Sequence, residues 1–311
     1  MSGSDDVSWQ TLRRIVRSWA GDSAEIGEVR HLHGGAVSNT LGILLESGAK
    51  AVLKISPHRV DRSVMRESRQ LEHLRAIGVP VPKVYLARLA DLDEPDSYLL
   101  MEHIDGVDLA TAREQCSAGE YDRLQEEFAG IVVKMHGRTA ERYQRVGVEG
   151  AEGETFESWP AFFARVYEGM WRELEKDPAT TKACKKAFNK VHDALPRLLA
   201  HEDKPRLVHW DLWTSNVLVS RNGDGWGVAA ILDPMCKYGH AEGELAYLEM
   251  FQTVNSAFMK RYKTCLKVSE GYARWRRGVY QLYFTMDHAA FFGGQYHAKL
   301  AEAADRVAGE I

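Results

Sequence analysis

The stretch LVHWDLWTSNVLV at residues 207–219 is apolar at both ends, and His209, Asp211 and Asn216 lie at fixed spacing in its middle. Asp233 follows the next apolar run, VAAIL, and the loop SRNGDGWG separates the two runs. This pattern predicts a β-hairpin whose outer ends meet and bring Asn216 and Asp233 together, with Asp211 on the preceding loop. Carboxylate and amide oxygens suit a hard divalent cation, and they suit phosphoryl transfer, in which a separate aspartate accepts the hydroxyl proton.

The order of these residues favours the phosphoryl-transfer interpretation. An aspartate followed five residues later by an asparagine has the spacing of a kinase catalytic loop, and Asp233 matches the position of the kinase metal aspartate. The alternative is that Asp211 and Asn216 only cap turns, as these residue types often do. His209 is expected to orient the loop through a hydrogen bond rather than to take part in the chemistry.

A second set of residues in the first third of the chain suits a nucleotide. Lys54 interrupts the apolar run AVLKIS, and Glu67 lies thirteen residues later in a predicted helix. A strand lysine paired with a helix glutamate holds the α- and β-phosphates in kinases. In the turn HGGAVSN, Gly34 and Gly35 would let backbone amides approach phosphates. The alternatives are a snorkelling lysine, a solvated glutamate and a plain hairpin turn.

Composition excludes several other classes of protein. The 311 residues carry a net charge of −4, so nothing favours bulk attraction to nucleic acid or to an anionic membrane. The four cysteines are scattered without a CxxC pair, which argues against a metal knuckle or disulfide framework and fits a reducing cytoplasm. The polar N-terminus MSGSDDVSW is no signal peptide, and no apolar run reaches membrane-spanning length. We therefore expect a cytoplasmic protein without nucleic-acid or membrane partners.

Hydrophobic periodicity divides the chain into a β-rich part and a helical part. The first part is predicted as an antiparallel sheet with one helix after its third strand: helix 7–19, strands 25–32, 40–47 and 51–56, helix 60–77, and strands 83–89 and 98–104. The second part is predicted to be helical around the hairpin, at 118–137, 157–175, 179–200, 241–265, 269–291 and 295–309. We expect an α+β fold with a small nucleotide-binding lobe, 1–104, and a larger catalytic and acceptor-binding lobe, 105–311.

The whole chain resembles the aminoglycoside phosphotransferase group of small-molecule kinases, and within it most closely the fructosamine (ketosamine) kinase family. The resemblance is carried by VHWDLWTSN, ILDPMCKYGHAEGELAYLEMF, WPAFF and GVYQLYFTMDHAAFFGGQY. It implies a bilobal protein-kinase-like fold and an enzyme that uses ATP and Mg²⁺. By this resemblance Asp211 would be the catalytic base, Asn216 and Asp233 the magnesium ligands, and Lys54 with Glu67 the phosphate-positioning pair.

The same resemblance assigns contacts to the nucleotide base and to the acceptor. The backbone of the linker MEHI, at Glu102, His103 and Ile104, would bind the adenine. The expected acceptor contacts lie in the larger lobe: Trp213, Tyr238, Glu242, Glu244 and His288. Trp213 could stack on a sugar face, and the carboxylates would attract an amine on a ketoamine or an aminoglycoside. For His288 a buried, internally paired histidine is an equal alternative.

Three positions depart from the family pattern and leave the substrate open. Trp210 stands where the family usually has a glycine, Ala36 where a cysteine is common, and Ala289 where a tryptophan is usual. The leading hypothesis is a kinase of fructosamine or ribulosamine adducts, either as small molecules or on glycated protein. The second is a kinase of another amine-bearing small alcohol, such as an aminoglycoside or amino sugar. The third is a catalytically silent nucleotide-binding regulator.

Overall fold

A computed structural model describes residues 7–32, 39–148, 153–200, 204–223 and 225–311. The chain divides into two compact units. Unit 1 combines Met1–Gln115 with Ser215–Pro234, and unit 2 combines Cys116–Thr214 with Met235–Ile311. The expected architecture of a β-rich N-terminal region and a helical C-terminal region is confirmed. The lobe boundary at residue 104 stays a prediction.

Unit 1 contains an antiparallel sheet with the strand order β1-β2-β3-β5-β4. The strands are β1 (Ile26–His31), β2 (Asn39–Leu45), β3 (Lys50–Ser56), β4 (Val84–Arg88) and β5 (Ser97–Glu102). Alternate residues of β2 and β3 point into a core that also takes one face of helix α1 (Trp9–Ala20). Because side chains alternate along a strand, burial of Leu53 and Ile55 turns Lys54 to the opposite face.

Helix α2 (Arg62–Ala76) follows β3, as predicted. Asp61 caps its N-terminus by accepting a hydrogen bond from Ser63 N at 2.9 Å. The chain leaves the helix through Gly78, whose φ of 76° suits a residue without a side chain. Its buried face, which includes Val64, Leu71 and Leu74, holds the helix in unit 1 and fixes the position of Glu67.

The predicted hairpin is present, and it pairs with a strand that the sequence did not reveal. Strands β9 (Val217–Asn222) and β10 (Gly225–Ile231) form a sheet in the order β10-β9-β6, where β6 is Val107–Asp108. Helix α3 (Leu109–Gln115) follows β6. At the open end of the hairpin, Leu232 N donates to Asn216 O at 2.9 Å. The residues flanking the two strands therefore meet, as the hairpin pattern predicted.

Unit 2 is mainly helical. Its helices are α4 (Ala118–His136), α5 (Trp159–Lys176), α6 (Lys182–Leu198), α7 (Ala241–Met250), α8 (Ser256–Cys265), α9 (Arg277–Phe292) and α10 (Gln295–Glu310). Short strands form a second small sheet in the order β7-β11-β8: β7 (Gln144–Arg145), β8 (Arg206–Val208) and β11 (Lys237–Gly239). They were missed because two or three residues carry no periodic signal.

Two helix predictions were wrong in their extent. The predicted helix 241–265 breaks into α7 and α8, because Gln252 adopts a φ of 52° and Asn255 starts a new helix by accepting from Ala257 N at 2.9 Å. The predicted helix 269–291 begins with a π-helical turn, Tyr272–Arg276, before α9.

None of the helices in the described ranges is long and apolar enough to cross a membrane.

Candidate active site

Lys54 is held between two carboxylates of unit 1. Its Nζ lies 2.7 Å from Glu67 Oε1 on α2 and also contacts Asp233 Oδ1 after β10. Burial lowers the pKa of Lys54, but the charges of Glu67 and Asp233 outweigh it and raise the pKa above its ordinary value. Lys54 therefore stays protonated, as a group that binds phosphate must be.

The cluster carries one more negative charge than positive charge when both carboxylates are ionised. Burial raises the pKa of Glu67, with Lys54 opposing and Asp233 adding to the effect. The Asp233 side chain is 31% exposed, against 16% for that of Glu67. Asp233 is therefore the carboxylate better placed to meet an incoming cation.

The side chains of Asp233 and Asn216 carry oxygens of the kind that a magnesium ion prefers. Both offer oxygen donors, and Leu232 N ties the backbone before Asp233 to Asn216 O. Asp233 has a φ of 52°, a strained conformation that aspartate tolerates better than most residues. Among the described residues no group of three or more His, Cys, Asp or Glu could hold a metal. A pair of protein oxygens suits Mg²⁺, which takes its other ligands from phosphates and water.

The structure describes the residues expected to contact the adenine but not the glycines expected to contact the phosphates. Glu102 ends β5, and its backbone N already donates to O of Lys83, the residue before β4, at 2.8 Å. His103 and Ile104 follow directly after the strand. Gly34 and Gly35, like Ala36, lie outside the described residues. The roles of all these positions stay predictions.

In unit 2, Asp211 accepts a hydrogen bond from a residue that sequence reasoning missed. Tyr247 Oη on α7 donates to Asp211 Oδ1 at 2.5 Å. Burial raises the pKa of Tyr247 and the charge of Asp211 adds to this, so the phenol stays protonated and donates. Asp211 N donates to Nδ1 of the buried His209 at 3.3 Å, which matches the orienting role predicted for that histidine.

Glu244 holds the backbone beside Asp211. Its Oε1 accepts from Trp210 N at 2.6 Å, and its Oε2 lies 2.7 Å from His136 Nε2. Nδ1 of the same histidine lies 2.8 Å from Tyr262 Oη, so a buried polar chain ends at the loop that carries Trp210 and Asp211. Burial raises the pKa of Glu244, but the hydrogen bond and charge of His136 outweigh it and leave the pKa below its ordinary value.

Trp210 occupies a backbone conformation that normally favours glycine. Its φ is 72°. The ring is packed on several sides, with centroids 5.0 Å from that of Phe284 and 5.8 Å from that of Trp159. Lys237 Nζ lies 4.2 Å from the ring centroid. A Cβ on Gly243 would come within 2.6 Å of the ring, so α7 can approach the tryptophan only through a glycine. Ring burial offsets the backbone strain.

The other predicted acceptor contacts fall into two groups. Glu242 is buried and paired internally, with Oε2 2.6 Å from Arg276 Nε and Oε1 2.6 Å from Ser269 Oγ. Tyr238 lies in β11, and burial raises its pKa. Whether these residues or Glu244 contact an acceptor stays a prediction, since the observed partners of both glutamates are internal.

Trp213 and His288 belong to a continuous group of rings beside Asp211. We call this group the aromatic rim: Trp213, Tyr247, Phe251 and His288. The Phe251 ring centroid lies 4.7 Å from that of Tyr247, 5.1 Å from that of His288 and 6.3 Å from that of Trp213. Trp213 is 37% exposed. The rim gives the surroundings of Asp211 an accessible aromatic wall suited to stacking.

Comparison with known proteins gives a consistent result. A family model described as fructosamine kinase matches residues 8–309. The probable ketoamine kinase of Vibrio vulnificus is 24% identical, over 96% of this chain and 99% of the relative. That of Enterococcus faecium is 27% identical, over 88% of this chain and 93% of the relative.

Solved structures show the same fold. A proposed fructosamine-3-kinase from Thermobifida fusca aligns with a TM-score of 0.76 at 24% identity, covering 98% of this chain and 100% of the other. A thermostable mutant of the aminoglycoside phosphotransferase APH(4)-Ia, in complex with AMP-PNP and hygromycin B, aligns with a TM-score of 0.69 at 15% identity, covering 96% and 97%. The predicted protein-kinase-like fold is confirmed.

Proposed function

The chain belongs to the fructosamine kinase family and is an ATP-dependent kinase, and we propose that it transfers the γ-phosphoryl group of ATP to a sugar hydroxyl of a ketosamine such as a fructosamine or ribulosamine. The observation that carries the proposal is the carboxylate of Asp211, oriented by the hydrogen bond from Tyr247. A base held in one orientation is what removal of a hydroxyl proton during transfer requires.

In this proposal Asp211 accepts the proton of the acceptor hydroxyl as the oxygen bonds to the γ-phosphorus and ADP leaves. Tyr247 and His209 position the base, and Glu244 holds the loop through Trp210 N. A small-molecule ketosamine and a glycated amine on a protein present the same reacting group.

The groups assigned to the nucleotide belong to unit 1. Protonated Lys54, supported by Glu67, would donate to the phosphates, and Asn216 with Asp233 would hold Mg²⁺. When bound, Mg²⁺ offsets negative charge on the phosphate oxygens. Glu102, His103 and Ile104 would receive the adenine, and Gly34 and Gly35 would approach the phosphates.

The test is magnesium-dependent ADP release by the purified protein against a small panel of acceptors: a fructosyl-amine, a ribulosyl-amine, glucosamine and two aminoglycosides. We expect turnover on the ketoamines. Asp211→Asn should lower kcat by about 100-fold or more and leave the Kd for ATP within about twofold, because loss of a general base affects the transfer step. Near-full activity of this variant would show that Asp211 is not the base.

A second candidate function, a kinase of another amine-bearing small alcohol, is favoured by the positions that depart from the family pattern. Trp210 fills space beside the base, and Ala289 is a buried small residue on α9. Turnover only on glucosamine or an aminoglycoside would retain the mechanism and reassign the acceptor. ATP binding without turnover on the panel would favour a silent nucleotide-binding regulator.

A further inference from the structure

Asp287 lies on the face of α9 that is turned toward the base. It comes one helical turn after Tyr283 and Phe284, so the three side chains share a face. The Phe284 ring centroid lies 4.5 Å from that of Tyr247, which donates to Asp211. The Tyr283 ring centroid lies 6.2 Å from that of Trp210. The face of α9 that carries Asp287 is therefore the one turned toward Trp210, Tyr247 and Asp211.

The Asp287 carboxylate lacks the internal partners that the neighbouring glutamates have. Its side chain is only 34% exposed, yet it accepts no hydrogen bond from any of the described residues. His288 Nδ1 lies 4.0 Å away but is 2.8 Å from Phe284 O. Since a carbonyl can only accept, Nδ1 donates to Phe284 O and its proton is committed there.

The electrostatics beside the base favour an incoming cation. Burial raises the pKa of Asp287; His288 and Lys237 oppose this, and the negative charge of Asp211 adds to it. Lys237 forms no salt bridge with Asp287; its Nζ lies 4.2 Å from the centroid of the Trp210 ring, and burial lowers the pKa of the lysine. Two carboxylates that repel each other in a half-buried place are both stabilised when a cation enters between them.

We propose that Asp287 is a specificity-determining residue that binds the protonated amine of the acceptor, while the aromatic rim contacts the same cation through its ring faces. The inference rests on the proposed function and names the chemical feature that the site selects. In a ketosamine the amine nitrogen is bonded to the carbon next to the ketose carbonyl carbon. The cation and the sugar hydroxyls therefore lie a few bonds apart. One acceptor can therefore meet Asp287 and Asp211 together. Glu242 and Glu244 differ from Asp287 in that both have internal partners.

The test compares two acceptors that differ in charge: an N-alkyl fructosamine, whose secondary amine is protonated, and the matching N-acyl analogue, which is neutral. We expect the wild type to prefer the amine, and the ratio of kcat/KM for amine over amide to fall by about 10- to 100-fold in Asp287→Asn. Asp287→Glu keeps the charge and should restore much of the preference. Asp193→Asn, which removes a carboxylate that is 84% exposed in the same unit, should leave the ratio unchanged.

Calorimetric binding of both acceptors in the presence of ADP and Mg²⁺ separates this inference from the proposed function. If the wild type turns over neither acceptor, the proposed function fails, and binding still decides the role of Asp287. At least tenfold weaker binding of the amine to Asp287→Asn, with smaller weakening for the amide, supports the role. Equal weakening for both acceptors, an unchanged ratio, or no binding of the amine to the wild type overturns it.

Discussion

Tyr247 and Asp211 are 36 positions apart in the chain, yet a hydrogen bond joins their side chains. The phenol stays protonated, because burial and the charge of Asp211 both raise its pKa, and it donates at 2.5 Å. A hydrogen bond to a charged group contributes about 1.5–3 kcal/mol. Tyr247→Phe removes this bond without changing the shape of the ring. We therefore expect kcat to fall by about 10- to 100-fold while the KM for ATP stays unchanged, measured by steady-state ADP release.

A matched control for this variant is Tyr167→Phe. Tyr167 is also buried in unit 2, and its hydroxyl donates to Phe188 O at 3.2 Å, away from Asp211. Both variants lose a buried hydroxyl and its hydrogen bond, so both should lose stability, and Tyr167→Phe shows what such a loss alone does to kcat. If kcat falls equally in the two, the effect comes from general destabilisation, and Tyr247 has no positioning role.

Among the structural elements, α7 and the loop that carries Trp210 and Asp211 pack together through one glycine, Gly243. A Cβ on Gly243 would lie 2.6 Å from the Trp210 ring. We expect Gly243→Ala to lower the free energy of unfolding by about 1–3 kcal/mol, the usual cost of overpacking. In the Trp210→Gly background the ring is absent. Gly243→Ala should then leave the free energy of unfolding unchanged or raise it by up to about 1 kcal/mol, because alanine favours a helix more than glycine does. Urea denaturation of the four proteins in this cycle measures the coupling.

Gly130→Ala in α4 is the control for that cycle, because a Cβ there would meet no other atom within 4 Å. It should be neutral or stabilising in both backgrounds. Strictly additive effects of Gly243→Ala and Trp210→Gly would show that α7 and the loop adjust to each other, so that the glycine is not required by the tryptophan.

The sequence predicted those strands and helices that have one buried face and one exposed face. Alternation in β3 turned Lys54 away from the core, and the amphipathic α2 carried Glu67 to meet it. Helix α7 was predicted as part of 241–265, but its orientation was not, because every residue from Ala241 to Leu248 is buried and no polar face marks which side is turned inward. The contact of Tyr247 with Asp211 follows from tertiary packing that local patterns do not encode.

At the scale of the whole molecule, the sequence did not reveal that unit 1 is assembled from two distant chain segments. Ser215–Pro234 belongs to unit 1 because β9 pairs with β6, a strand of only two residues. The approach is tight: a Cβ on Gly106 would lie 2.7 Å from Val219 O. The sequence showed the hairpin itself, since six or seven residues per strand carry a pattern. It could not show which edge the hairpin joins.

The pH dependence of stability is a further property of the whole chain, and Glu244 contributes to it. Its carboxylate is fully buried, and its pKa lies below the ordinary value because the opposing effect of burial is outweighed by His136. A carboxylate with a lowered pKa stabilises the fold above its ordinary pKa, and this contribution is lost as the pH falls through the lowered value. We therefore expect Glu244→Gln to be less stable than the wild type by about 1–3 kcal/mol near neutral pH, and to lose stability less steeply below about pH 4.5.

Urea denaturation at a series of pH values measures both effects. Glu173→Gln is the control: the Glu173 side chain is 65% exposed beside Lys176, so its replacement should change stability little. Curves for Glu244→Gln and wild type that run parallel through the acid range would show that Glu244 is not a source of the acid sensitivity.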